Sequence, residues 1–351
     1  MTSTPQQLMP GDRWTKLFEK LRQGSNVSAI AFSPDGKLLA SVWHDGVVSL
    51  WNSTAERAIQ KLESHQVGLA VISFSPDGML LALASDSTVS VSDSTTEVSL
   101  SIWDVTTGEL LQKLEGLGKP FRATFSTDGQ LLALVSDKEN VVMLWNPTTG
   151  ELVQILESHT AVVAEISFSP NGQLLASALD DSTVVVWNLT TGELLQKLKG
   201  HKGKVNAVLF SPDGQLLASA SAELTVILWN PTTGDLVRKL EGHNGIVKAI
   251  AFSPDGRLAS ASFDQTVRLW NPMTGELLQQ LECYSNRIRA IFFSPEGHML
   301  VSLSYDKVEF WTQEATTAMA PVPMKAHYLL PYPKYRIQTP ARNMSGRALS
   351  M

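Results

Sequence analysis

The residues in this chain that could do chemistry are histidines set among acids and hydroxyls. His243, Asp264 and nearby serines have the composition of a hydrolase triad: a hydroxyl nucleophile, an imidazole base and a carboxylate to orient it. His159 and Asp181 offer the same set, and His201 stands with Glu223 in place of the aspartate. A catalytic centre occurs once in a domain, whereas this set returns every 42 residues or so, each time ahead of a tryptophan: Trp187, Trp229 and Trp270. Recurrence points to structure. A buried polar network rigidifies when complete and is costly when half satisfied. Other reactive patterns are weaker. Gly116-Leu117-Gly118-Lys119 lacks the spacing, the following Ser or Thr and the helix of a phosphate loop. Cys283 is the single cysteine and has no partner identifiable in the sequence, so it reads as inert. The histidines fall one per repeat rather than at ligand spacing, so no metal and no cofactor is expected.

The elements that must position these residues are legible as an internal repeat. A Phe-Ser-Pro-Asp-Gly-like run begins at Phe32, Phe74, Phe125, Phe168, Phe210, Phe252 and Phe293. A tryptophan, mostly followed by Asn or Asp, interleaves with it at Trp51, Trp103, Trp145, Trp187, Trp229, Trp270 and Trp311. Each unit reads as four short strands. In the sixth they are residues 247–252, 258–262, 266–270 and 276–281, separated by Ser253-Pro254-Asp255-Gly256, by Phe263-Asp264-Gln265 and by Asn271-Pro272-Met273-Thr274-Gly275. Pro presets φ, Asn or Asp bonds its own backbone, and Gly supplies positive φ. One such sheet cannot bury both faces, but radial stacking of like sheets does. The expectation is an all-β, seven-bladed β-propeller with four antiparallel strands per blade.

Composition agrees with one globular domain. The 351 residues carry a net charge of −6, and hydrophobic residues make up 43%. A single cysteine excludes a disulfide-stapled scaffold. No signal peptide is visible at the start, and no apolar run is long enough to span a bilayer. The expected setting is cytoplasmic, with no general bias toward nucleic acid.

Trp103-Asp104, the Asn variants after Trp145, Trp187, Trp229 and Trp270, and the pairs Gly200-His201 and Gly242-His243 resemble the WD-repeat β-propeller family. The resemblance covers residues from about 17 to 311 in seven in-register copies. It implies that the His, the acid, a Ser or Thr and the Trp indole hydrogen-bond within one blade. The set is incomplete in the first, third and seventh units, so blades four to six are expected to be the most rigid. The resemblance also implies a ring joined by strand exchange. Leu17–Leu21 is similar to Leu194–Leu198 and would complete the seventh blade, whose own fourth strand is missing. The expected organisation is a lead at 1–13, the propeller at 14–312 and a basic, Pro-containing, mostly disordered tail at 313–351.

In that family partners bind mainly on the face carrying the loops between blades. The matching positions are Val162, Ala164 and Asp180 in the fourth unit, then Lys204, Asn206 and Ala222 in the fifth. They are Ile246, Lys248 and Phe263 in the sixth, and Arg287, Arg289 and Ser304 or Tyr305 in the seventh. Lys204, Lys248, Phe263, Arg287, Arg289 and Tyr305 therefore form a basic, aromatic-lined sector. Arg pairs bidentately with carboxylate or phosphate, so the expected partner is a protein or peptide, acidic or phosphorylated. The second unit has ten extra residues between its second and third strands, read as a duplicated strand. The leading expectation is a non-enzymatic interaction scaffold. An alternative is a sensor module, because the units are similar to the WD arrays of NACHT-type signalling NTPases. A propeller enzyme ranks lowest.

Overall fold

The computed structural model describes residues 27–43, 47–52, 58–63, 71–85, 99–115, 120–136, 140–157, 159, 161–283, 288–304, 308–313 and 324–327. Every regular element among them is a strand, and the strands form seven four-stranded antiparallel sheets. In each sheet the four strands pair in chain order. Sheet six is typical: Val247–Phe252, Leu258–Ser262, Thr266–Trp270 and Leu277–Glu282. Its last strand starts one residue later than the spacing suggested.

The turns form for the reasons their residues dictate. Ser211 Oγ donates to Asp213 Oδ1 and accepts from the Leu216 amide at 2.9 Å, closing the first hairpin of sheet five. The residue after the tryptophan closes the second hairpin. Asn230 Oδ1 accepts from the amides of Thr232 and Thr233, both at 3.0 Å, and Gly234 takes φ 81°. This explains the Trp-Asn and Trp-Asp pairs. Thr312 follows Trp311 in place of that acceptor, and the strand Val308–Gln313 ends two residues past the tryptophan.

The first strands of sheets four to seven lie against one another, so the first strand is the inner one of each sheet. Seven apolar clusters fill the spaces between sheets. Ala220, Leu228 and Leu240 of sheet five, for example, meet Ile250 and Leu258 of sheet six. One cluster lies between the first and last sheets. Ile30 and Leu39 of sheet one pack with Val301 and Leu303 of sheet seven. Phe32 and Phe292 meet edge to face across the same seam, with centroids 5.8 Å apart. Polar latches add to the packing. Gln112, Gln196 and Arg238 on outer strands donate to the Thr148, Thr232 and Met273 carbonyls in the turn of the next sheet.

The outer strand of sheet seven corrects an expectation. Met324–His327 occupies it, with Trp311 opposite Ala326. Leu17–Leu21, expected there, lies outside the described residues. An open strand edge presents unpaired N–H and C=O groups, and Met324–His327 pairs with them. Part of the tail is thus a short strand. The ten-residue insertion of the second unit falls within residues 86–98, which lie outside the described residues, between paired strands Leu80–Ser85 and Ser99–Asp104. Of its two strand-like copies, the one carrying Trp103 pairs.

Candidate partner-binding face

The histidine network is complete in sheets five and six. Trp270 Nε1 donates to Ser260 Oγ at 2.8 Å, and Ser260 Oγ lies 2.8 Å from His243 Nε2. His243 Nδ1 is 2.8 Å from Asp264 Oδ2, and Asp264 also accepts from Thr266 Oγ1 and the Asn244 amide. Burial holds the His243 pKa below the ordinary imidazole value despite the opposing pull of Asp264. Burial raises Asp264, but the bonds from Thr266, Asn244 and His243 outweigh it and leave the carboxyl lowered. A neutral imidazole has one N–H, and a carboxylate only accepts. Nδ1 therefore donates to Asp264, and Nε2 accepts from Ser260. Sheet five repeats this with Trp229, Ser219, His201 and Glu223, each link at 2.8 Å.

These contacts have the geometry of a catalytic triad without its access. Ser219 and Ser260 are both 0% exposed, and each accepts an indole N–H beside the imidazole. No substrate carbonyl reaches the hydroxyl, so the set holds its sheet together.

Sheet four departs from the expected pattern. His159 Nδ1 donates to the Leu156 carbonyl at 3.1 Å instead of to an acid, and Nε2 is 3.2 Å from Ser177. Trp187 Nε1 has no hydrogen-bond partner among the described residues. Blades five and six, not four to six, carry the full network. The serine is the hub that sequence reasoning left unspecified. Where leucine replaces it, at Leu83 and Leu134, the indoles of Trp103 and Trp145 are unpartnered. In sheet one the Trp51 indole still finds Ser41 at 2.8 Å. In sheet seven Cys283, at the position Gly242 holds in sheet six, donates to the buried Glu309 carboxylate, with Ser302 3.8 Å away.

In six of the seven sheets the register between the first and second strands shifts by one residue, a β-bulge, which leaves that residue unpaired in the ladder. The skipped residues are Ser28, Phe121, Ala164, Asn206, Lys248 and Arg289. Loop positions join them through backbone bonds. The Asp180 amide donates to the Val162 carbonyl, Ala222 to Lys204 and Phe263 to Ile246. These bonds join loop positions within each unit, and the Lys204–Asp180 ion pair links the fifth unit to the fourth.

Three of the six sector residues can be placed. Lys204 is ion-paired, its Nζ 2.6 Å from Asp180 Oδ1. Lys248 is half-buried, and burial, then Arg122 and Lys204, lower its pKa against the pull of Glu165 and Asp180. Phe263 is 41% exposed, and Val162, across the cluster, is 40% exposed. Arg289 lies on the inner strand of sheet seven, Ile288–Phe293, with only its backbone described. Arg287 and Tyr305 lie outside the described residues. Sequence reasoning missed Arg122 and Glu165, which pair at 3.0 Å beside this group. They sit one position past the skipped residue, so the repeat pattern did not flag them. The sector is thus mixed, with Arg122, Lys204 and Lys248 facing Glu165 and Asp180.

Comparison with known proteins agrees with this architecture. The family described as WD domain, G-beta repeat matches residues 150–188, 192–230, 234–271 and 275–308. The family described as anaphase-promoting complex subunit 4 WD40 domain matches residues 12–75. No curated protein matches the chain. Two matched WD models, a Trp-Asn or Trp-Asp turn in successive sheets and the Trp-Ser-His-acid network in two of them place the chain in the WD-repeat family.

Proposed function

We propose that this chain is a non-enzymatic protein-interaction scaffold, built as a closed ring of seven blades. WD repeats generally serve as interaction scaffolds, and the chain belongs to that family. The apolar seam between the first and last sheets supports closure. The ring would span residues 14–312, with a lead before it and a tail after it that lends one outer strand. In this reading the loop face grips an acidic or phosphorylated protein segment through Lys204, Lys248, Phe263, Arg287, Arg289 and Tyr305, in a cytoplasmic setting. No helix of the described residues is long and apolar enough to cross a membrane.

The observation that carries this reading is the repeated bulge. It falls on Lys248 and Arg289 in adjacent sheets, and exposed Phe263 sits beside the first of them. Arg and aromatic side chains are the types enriched at interface hot spots. The test is affinity capture with quantitative mass spectrometry, comparing the chain with a Lys248→Ala, Arg289→Ala variant. Recovery of acidic partners is expected to fall about tenfold, as for loss of a hot spot. Equal recovery would overturn the assignment of the face. Hydrolysis of ATP by the purified chain would overturn the non-enzymatic reading.

A further inference from the structure

Resting on that reading of the face, we infer that it receives a single anionic side chain flanked by apolar residues, and that Asp180 is a built-in competitor for the same position. The described cluster holds three cations, Arg122, Lys204 and Lys248, and two carboxylates, Glu165 and Asp180. The carboxylates are already committed: Arg122 Nε to Glu165 Oε2 at 3.0 Å, and Lys204 Nζ to Asp180 Oδ1 at 2.6 Å. Lys248 has no ion pair within 4.0 Å among the described residues, yet it feels all four of the other charges. One cation is left over, which matches one incoming carboxylate or phosphate.

Geometry says where that anion would go. Lys248 is the bulged residue of its inner strand, and Lys204 immediately precedes the inner strand of the neighbouring sheet, Val205–Phe210. Asp180 reaches Lys204 from the loop of the sheet on the other side, held by its own amide bond to the Val162 carbonyl. An anion bound between Lys204 and Lys248 must displace the Asp180 carboxylate or share Lys204 with it. Val162 and Phe263 stand exposed at the two ends of this line and would take apolar neighbours of the anion. The pair is about one-third to two-fifths exposed on each side, 43% for Lys204 and 33% for Asp180. The paired Asp180 Oδ1 makes no aligned hydrogen bond among the described residues despite the 2.6 Å contact, so charge alone holds it and exchange with a ligand is feasible.

The probes are three blocked pentapeptides, Gly-Phe-Glu-Leu-Gly, its phosphoserine counterpart and its Gln counterpart, with affinity measured by titration calorimetry at fixed salt. The variants are Asp180→Asn, Lys248→Ala and Lys204→Met. The glutamate or phosphoserine peptide is expected to bind, the Gln peptide to bind more weakly, and Lys248→Ala to lose the preference. Asp180→Asn is expected to tighten anion binding about fivefold, the equivalent of one partly exposed ion pair released. In Lys204→Met the Asp180→Asn gain is expected to vanish. If Lys248→Ala loses binding but Asp180→Asn leaves it unchanged, the face stands and the competitor role is overturned. If Lys248→Ala binds equally well, the site itself is overturned. The two anionic peptides decide between carboxylate and phosphate. Unchanged melting curves of the variants separate these outcomes from loss of fold.

Discussion

At the scale of the residue, the chain turns triad-like chemistry into scaffolding by burying the serine. Ser260 serves two partners, the Trp270 indole and His243 Nε2, and has no exposure. Ser260→Ala would leave both unpaired inside the sheet, and an orphaned buried polar group costs about 1–3 kcal/mol. Denaturant titration is expected to show a larger loss for Ser260→Ala than for Ser177→Ala, because Trp187 has no indole bond to lose. The buried histidines also set a pH dependence. Burial pushes His159 down from 6.5 to about 4, and lowers His201 and His243 as well. The folded-state values lie below the unfolded ones, so between them the unfolded chain binds more protons. Stability is full above pH 6.5 and is lost as pH falls toward 4, the range given by His159. The turn carboxylates extend the loss, since the Ser33 hydroxyl and the Lys37 amide hold Asp35 down at about 2. A denaturation series from pH 7 to pH 3 is expected to show a monotonic fall, and a flat profile would contradict the assignment of neutral buried histidines.

At the scale of the element, each sheet is a hairpin series whose turns are chemically specified, and the sheets differ in how many internal ties they keep. Sheets five and six hold the full Trp-Ser-His-acid chain, sheet four holds part, and sheets two and three replace the serine by Leu83 and Leu134. Hydrogen exchange is expected to be slowest on the second and third strands of sheets five and six. Slower exchange in sheet three would show that apolar packing, not the network, governs local opening. The turns also carry ties between sheets. Gly234 takes φ 81°, and a Cβ there would come 2.8 Å from Gln196 Oε1. Gly234→Ala is expected to cost about 1–2 kcal/mol, the penalty of a left-handed backbone for a residue with a Cβ. It would also disturb the Gln196 bond to the Thr232 carbonyl at 2.9 Å.

At the scale of the whole molecule, the sheets lean on one another in sequence and the last leans on the first. A sheet of this size buries its faces only against neighbours, so stability is shared among nearest-neighbour interfaces. The weak point is the outer edge of sheet seven, covered by only four residues, Met324–His327. Truncation after Gln313 removes that cover. The expected outcome is a lower denaturation midpoint and self-association in sedimentation velocity, because an uncovered edge strand pairs with other chains. A monomer of unchanged stability would mean that another segment holds the edge.

The periodic Phe-Ser-Pro-Asp-Gly and Trp-Asn runs by themselves determined the class of fold, the number of sheets and most strand limits. Those features are local: a turn is specified by the few residues that make it, and inward-facing side chains repeat with the strand. The positions proposed for the loop face in the fourth to sixth units keep a constant offset from the repeat, so they could be named from the sequence. Only the tertiary structure decided the rest. It showed that Lys204 is held by Asp180, that Arg122 is held by Glu165, and that the Trp187 indole is left without a partner. It also placed Met324–His327 on an edge that sequence similarity assigned to Leu17–Leu21. These outcomes depend on side chains from neighbouring sheets, 24 residues apart for Lys204 and Asp180 and 43 for Arg122 and Glu165. A one-dimensional period locates each residue within its own unit and carries no information about which charge the next unit sets opposite it.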